Sequence, residues 1–262
     1  MRRPRWQHRR LQHRPRARPS KVSPDATQSP LRRALSLGSS QAEPRRRHVV
    51  ESRCPDDAAP MRKDKSLQML RQAAAGCREC PLGFHATQTV WGEGPIGARL
   101  MLVGEQPGDQ EDRQGRPFVG PAGQLLDRAF EALGWPRDKL YITNAVKHFK
   151  FEVRGKRRMH KTPAQREAAA CLHWLESEIE QIDPSAIVAL GSTAARSLMG
   201  RPVAVMAQRG QWLEREDGRR VLITLHPSAL LRLVADREEA YEQWLADLRH
   251  ASAVARKSTD PE

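Results

Sequence analysis

No apolar run in this chain approaches the roughly 18 residues that a membrane-spanning helix requires, and no secretory h-region is present. A soluble, cytoplasmic protein with no membrane partner is the resulting expectation. A Walker A pattern and a GxGxxG turn are also missing, so nucleotide hydrolysis and dinucleotide binding lack support. There is no internal repeat. Cysteine is scarce, with four in 262 residues. In a chain without a secretory signal, so few thiols point to metal or redox chemistry before disulfides.

Charge is plentiful but unevenly spread. Residues 1–60 hold 15 of the 45 Lys and Arg but only 5 of the 31 Asp and Glu. The +14 net charge therefore says more about this segment than about the remainder. Eight of the 19 prolines lie there too, and no amphipathic period survives. Such a composition cannot bury enough apolar surface to order itself. Three readings of it stand open. It is a basic arm that adds phosphate contacts through counterion release, or an organellar targeting segment, or an over-extended start. Residues 1–20 are Arg-rich without an acidic residue, as targeting needs, but their prolines oppose an amphipathic helix. Met61 opens a sensible beginning for a folded domain, expected over 61–256 with a short tail at 257–262.

Within that domain, strand-like apolar runs recur at 99–103, 139–143, 185–190 and 221–225. Helical patterns occupy 62–75, 122–133, 164–181, 192–199 and about 237–255. The alternation predicts an α/β fold, a three-layer α/β/α sandwich around a mainly parallel four-stranded sheet. Residues 212–225, WLEREDGRRVLITL, read as a hairpin around Asp217-Gly218.

Residues 103–123, VGEQPGDQEDRQGRPFVGPAG, are the most informative stretch. A polar, Gly- and Pro-punctuated loop leaving a buried strand is where α/β folds place their chemistry. Glu105, Gln106, Asp109 and Asp112 crowd this loop, and Phe118 sits between Gly/Pro turns. Taken alone, the segment also fits a solvated acidic loop. However, GE-x-PG followed by GRPFVGPAG resembles motif A of the iron–sulfur uracil-DNA glycosylases. The wording GEQPGDQED is similar to the UdgX-type branch, whose members remain covalently attached to the DNA they act on. The resemblance runs over about residues 65–250 and leaves the basic extension outside.

The resemblance implies roles residue by residue. Phe118 would stack on a flipped pyrimidine, where its plain reading is a core phenylalanine. Asn144 would match uracil N3–H and O4 with one amide, where its plain reading is a turn cap. In HPSALLR (226–232), which resembles motif B, His226 would donate to uracil O2 as negative charge grows there. Ser228 and Arg232 would meet the flanking phosphates. Cys77 and Cys80 form a CxxC that by itself fits zinc, a redox pair or half of a cluster site. The resemblance implies a [4Fe–4S] cluster held by Cys77, Cys80, His148 and Cys171. His148 stands in NAVKHF where those relatives carry a further cysteine; otherwise it reads as a surface histidine beside Lys147. Cys54 is left as the spare thiol.

Between Asn144 and Cys171 lies KHFKFEVRGKRRMHKTP, on its face a basic loop gripping phosphates. The UdgX-type proteins carry an inserted loop ending in KRR-x-H, whose histidine attacks the sugar. Here the pattern is KRRMH, with Met159 where an isoleucine is more usual. Carried over, His160 is the nucleophile and Glu105 holds its tautomer. Arg157 and Arg158 are expected to disfavour its protonation. Gln106, Asp109, Asp112 and Arg158 are expected to shape the pocket or touch substrate. The implied partner is uracil-containing DNA, single strands in preference, bound by a monomer. A turnover glycosylase that leaves an abasic site, and a noncatalytic binding module, are the alternatives.

Overall fold

The computed structural model describes residues 63–257. The basic extension with Met61 and Cys54, and most of the expected tail, lie outside the described residues. In chain order the first elements are α1 (Lys63–Ala75), α2 (Leu82–His85), β1 (Leu100–Gly104), α3 (Asp109–Gln114) and α4 (Pro121–Leu133). β2 (Tyr141–Asn144), a hairpin of β3 (Phe151–Arg154) and β4 (Arg157–His160), and α5 (Gln165–Ile182) follow. The rest runs β5 (Ala186–Leu190), α6 (Ser192–Met199), α7 (Val205–Gln208), β6 (Trp212–Glu214) and β7 (Arg220–Thr224). It closes with α8 (Pro227–Leu231), α9 (Arg237–Arg249) and α10 (Ser252–Lys257). No described helix is long and apolar enough to cross a membrane.

The four expected strands form because each is apolar on both faces, which suits a sheet covered on both sides. They line up in the order β2-β1-β5-β7, all parallel. Successive side chains then alternate between two cores. Leu100 and Leu102 of β1 join Leu126, Phe130, Trp244 and Leu248 from α4 and α9 on one face. Met101 and Val103 join Leu175, Ile179 and Leu198 from α5 and α6 on the other. The result is a three-layer α/β/α arrangement.

Three differences from the sequence reading stand out. The sheet has five strands rather than four, because the hairpin at 212–225 adds β6 antiparallel to β7. The C-terminal helix breaks near His250, where backbone bonds tighten to His250 N→Asp247 O and Ala251 N→Leu248 O. The break lets Ser252 accept from the Trp135 indole at 3.3 Å. The presumed loops at 109–114 and 151–160 are a short helix and a hairpin.

One buried ion pair ties the sheet to α5. Lys147 Nζ lies 2.5 Å from Glu178 Oε2, and both side chains are fully buried. Glu178 also accepts from Thr143 Oγ1 at 2.8 Å, Tyr141 OH at 3.2 Å and Gly92 N at 2.8 Å. Lys147 additionally donates to Asn144 O at 2.7 Å. The turn after β2 is thus held by a fully satisfied network. Removing one partner strands the other charge, a loss of about 3–5 kcal/mol. Glu178→Gln is therefore expected to lower unfolding free energy by that order in urea titrations. A change below about 1 kcal/mol would contradict this role.

Candidate active site

The cleft opens at the C-terminal ends of β1, β2 and β7, where parallel sheets present their loops. β1 ends at Gly104, in register with Asn144 at the end of β2. A Cβ on Gly104 would fall 2.4 Å from Asn144 Oδ1 and 2.5 Å from Phe118 Cζ. Only glycine lets the amide and the ring approach this closely. Phe118 adopts φ +54, a left-handed backbone that disfavours a bulky side chain. Gly123 accommodates that turn, since a Cβ there would sit 1.9 Å from Phe118 O. The buried Glu111 carboxylate fixes both loop ends by accepting from Gly108 N at 3.1 Å and Gly120 N at 2.8 Å.

Phe118, Asn144, His160, His226 and Ser228 line a cleft of about 460 Å³. Asn144 is 3% exposed, and its Oδ1 has no hydrogen-bond partner. A buried acceptor left unpaired costs about 1–3 kcal/mol. An incoming N–H donor would recover that.

His226 caps α8 and its Nδ1 accepts from Ser228 N at 3.1 Å. A backbone N–H can only donate, so Nδ1 keeps its lone pair and the neutral ring carries its proton on Nε2. Burial pushes its pKa down to about 4, with His160 and Arg232 adding to the shift. The group is a neutral donor at physiological pH. Ser228 Oγ also lies 2.8 Å from Nδ1, so this serine sets the tautomer. The His226 ring lies 5.8 Å from Phe118, centroid to centroid.

The hairpin brings His160 to the same cleft. Gln106 spans its neck, donating to Lys150 O at 3.3 Å and Lys161 O at 3.0 Å and accepting from Lys150 N at 3.0 Å. Arg158 binds Asp109 at 2.5 Å and Asp112 at 2.6 Å and lies over the Phe149 and Phe151 rings. Gln106, Asp109, Asp112 and Arg158 are thus engaged in anchoring the hairpin to the motif A loop. At its end, His160 Nε2 faces Glu105 Oε1 at 3.5 Å. The His160 pKa is lowered, first by burial; Glu105 opposes the shift and Arg232 adds to it. The cations expected to act on His160 were Arg157 and Arg158. The structure gives that part to Arg232, and two carboxylates neutralise Arg158.

A family model described as the uracil DNA glycosylase superfamily matches residues 91–249. The chain belongs to the uracil-DNA glycosylase superfamily. It is 39% identical over 171 residues to a type-4 uracil-DNA glycosylase of Thermotoga maritima, covering 65% of this chain and 85% of that protein. A type-4 uracil-DNA glycosylase of Pyrobaculum aerophilum is 38% identical over 184 residues, covering 66% and 88%. A type-5 uracil-DNA glycosylase of Pyrobaculum aerophilum is 32% identical over 173 residues, covering 57% and 72%.

This glycosylase-family domain also holds a buried group of thiols. Cys77, Cys80 and Cys171 are buried in a cluster with Trp91, Val146 and Trp174. Trp174 Nε1 donates to Cys77 Sγ and Lys147 N donates to Cys171 Sγ, both at 3.4 Å. Burial raises the Cys171 thiol to about 11 as an isolated group. His148 is buried, not on the surface; Nε2 lies 2.9 Å from Thr89 Oγ1, and Nδ1 has no partner. Among the described residues, no three such donors converge on one metal-ion position.

Sequence reasoning passed over Glu111, Thr193 and the Lys147–Glu178 pair. Glu111 had a signal, since Gly108-x-x-Glu111 has the spacing of a capping box. The others become visible only through contacts distant in sequence. The His226 assignment predicts a ring protonated at Nε2 and unchanged between pH 5 and 8 in ¹⁵N NMR spectra. A proton on Nδ1, or titration near pH 6.5, would contradict it.

Proposed function

We propose that this protein excises uracil from DNA and then remains joined to the sugar C1′ through His160. Uracil excision follows from superfamily membership and from relatives that are uracil-DNA glycosylases by name. The observation that carries the covalent step is the position of His160, which lines the cleft with Phe118, Asn144 and His226 while its Nε2 lies 3.5 Å from Glu105 Oε1.

The flipped base stacks on Phe118 and presents N3–H to the unpaired Asn144 Oδ1. Flipping costs a few kcal/mol in duplex and less in a single strand, which favours single-stranded substrate. As the C1′–N1 bond breaks, its electron pair leaves with uracil, and His226 Nε2–H donates to the charge growing on O2. Each 1.36 kcal/mol gained only in the transition state gives tenfold in rate.

The cationic C1′ then takes the lone pair of one His160 nitrogen. Whichever nitrogen the ring turns toward Glu105 carries the proton, and the opposite one attacks. That proton passes to Glu105 and onward to the departed uracil, so one proton moves from imidazole to base overall. The lowered His160 pKa keeps the attacking form neutral.

Cys77, Cys80, Cys171 and His148 are the donors that would hold a [4Fe–4S] cluster, as the resemblance to the iron–sulfur glycosylases implies. Three buried thiols, two with N–H donors aimed at sulfur, and a buried imidazole nitrogen without a partner fit that group. Bound there, it supplies structural clamping between the segment after α1, the turn after β2 and α5.

Incubation with uracil-containing single-stranded DNA is expected to give a band that survives SDS and heat, abolished in His160→Ala. Free uracil with multiple turnovers and no band would support a conventional glycosylase instead. Purified Cys171→Ala is expected to lose brown colour and visible absorbance. Retention of both would remove the cluster assignment.

A further inference from the structure

The two oxygens of Glu105 are used differently. Oε1 faces His160 Nε2 at 3.5 Å, close but not hydrogen-bonded in this arrangement. Oε2 accepts from Thr193 Oγ1 at 2.7 Å, a full-strength contact. Thr193 sits in the first turn of α6, and the start of that helix is closely fixed. Gly191 N donates to Thr224 O at 2.9 Å, and Ala195 N donates to Gly191 O at 3.0 Å. Gly191 has φ +89, and a Cβ there would sit 3.0 Å from His226 Cβ. The Thr193 hydroxyl is therefore mounted on the turn against which His226 packs.

Orientation matters because a carboxylate beside C1′ can serve two nucleophiles. Aimed at an imidazole, it takes that ring's proton; aimed at a water, it assists hydrolysis. Glu105 also borders a cleft of about 580 Å³ shared with His160 and Ser192, and its side chain is 20% exposed. Water therefore reaches it. The terminal torsion of a glutamate is broad and has no strong preferred well of its own. Among the contacts of Glu105, the Thr193 bond is the one that fixes that torsion.

We propose that Thr193 is a positioning residue: by holding Oε2 it aims Oε1 at His160, and so directs C1′ to the imidazole rather than to water. The proposal rests on the covalent reading above. The bonds balance as in that step, C1′–N1 breaking with its pair on uracil and C1′–N(imidazole) forming. In the competing route, water supplies the oxygen and loses a proton to Glu105.

The test measures adduct by denaturing electrophoresis and free uracil by chromatography in the same reaction, using the full chain with single-stranded uracil-containing DNA. In Thr193→Val, the adduct formed per uracil released is expected to fall at least threefold. Thr193→Ser keeps a hydroxyl and is expected to restore the wild-type ratio. Thr193→Ala provides the same comparison should the valine variant fail to fold. An unchanged ratio in the hydroxyl-free variants, with wild type forming adduct, would overturn the role of Thr193 alone. Uracil release without adduct in wild type would overturn the covalent reading, and this proposal with it.

Discussion

The ion pair between Lys147 and Glu178 is the constraint on which the rest of the site depends. Both groups are fully buried, and Lys147 lies three residues beyond Asn144 and next to His148. Burying two charges is costly unless the geometry is good and every remaining donor and acceptor is matched. Thr143, Tyr141, Gly92 and the Asn144 carbonyl provide that match. One side of this turn presents Asn144 to the base cleft; the other brings Lys147 N to Cys171 Sγ. The Asn144 wall of the cleft and the thiol centre are thus joined through one buried lysine.

A second level of organisation lies in the acidic loop after β1. Its carboxylates are absorbed in building the site. Glu111 joins two loop ends, and Asp109 and Asp112 receive Arg158 from the hairpin. With Gln106 across the hairpin neck, these contacts place His160 opposite Glu105. The wording GEQPGDQED and the KRRMH loop are therefore two halves of one device. Each half would leave buried or unpaired charge without the other.

Much of this was legible in the residues. Four apolar runs named the four parallel strands, because continuous hydrophobicity reports burial on both faces. Phe118, Asn144 and His226 were singled out through the resemblance in motifs A and B and at the end of β2, and the structure brings all three to one cleft. Arg158 was expected to shape the pocket or touch substrate; its ion pairs with Asp109 and Asp112, 49 and 46 residues away in sequence, carried no local signal. Glu178 and Thr193 carried no local signal. Each is an ordinary helical residue whose meaning comes from a partner far away in sequence. The fifth strand followed from the hairpin, but its addition to the sheet required knowing which edge was open.

The central claim is that one imidazole captures the sugar. Digestion of the protein–DNA product with nuclease and trypsin, followed by tandem mass spectrometry, tests it directly. Cleavage after Arg158 and Lys161 isolates Met159, His160 and Lys161. The account predicts a deoxyribose-derived mass on this peptide, localised to His160. Attachment at any other residue, or an unmodified peptide recovered from a confirmed adduct, would contradict it.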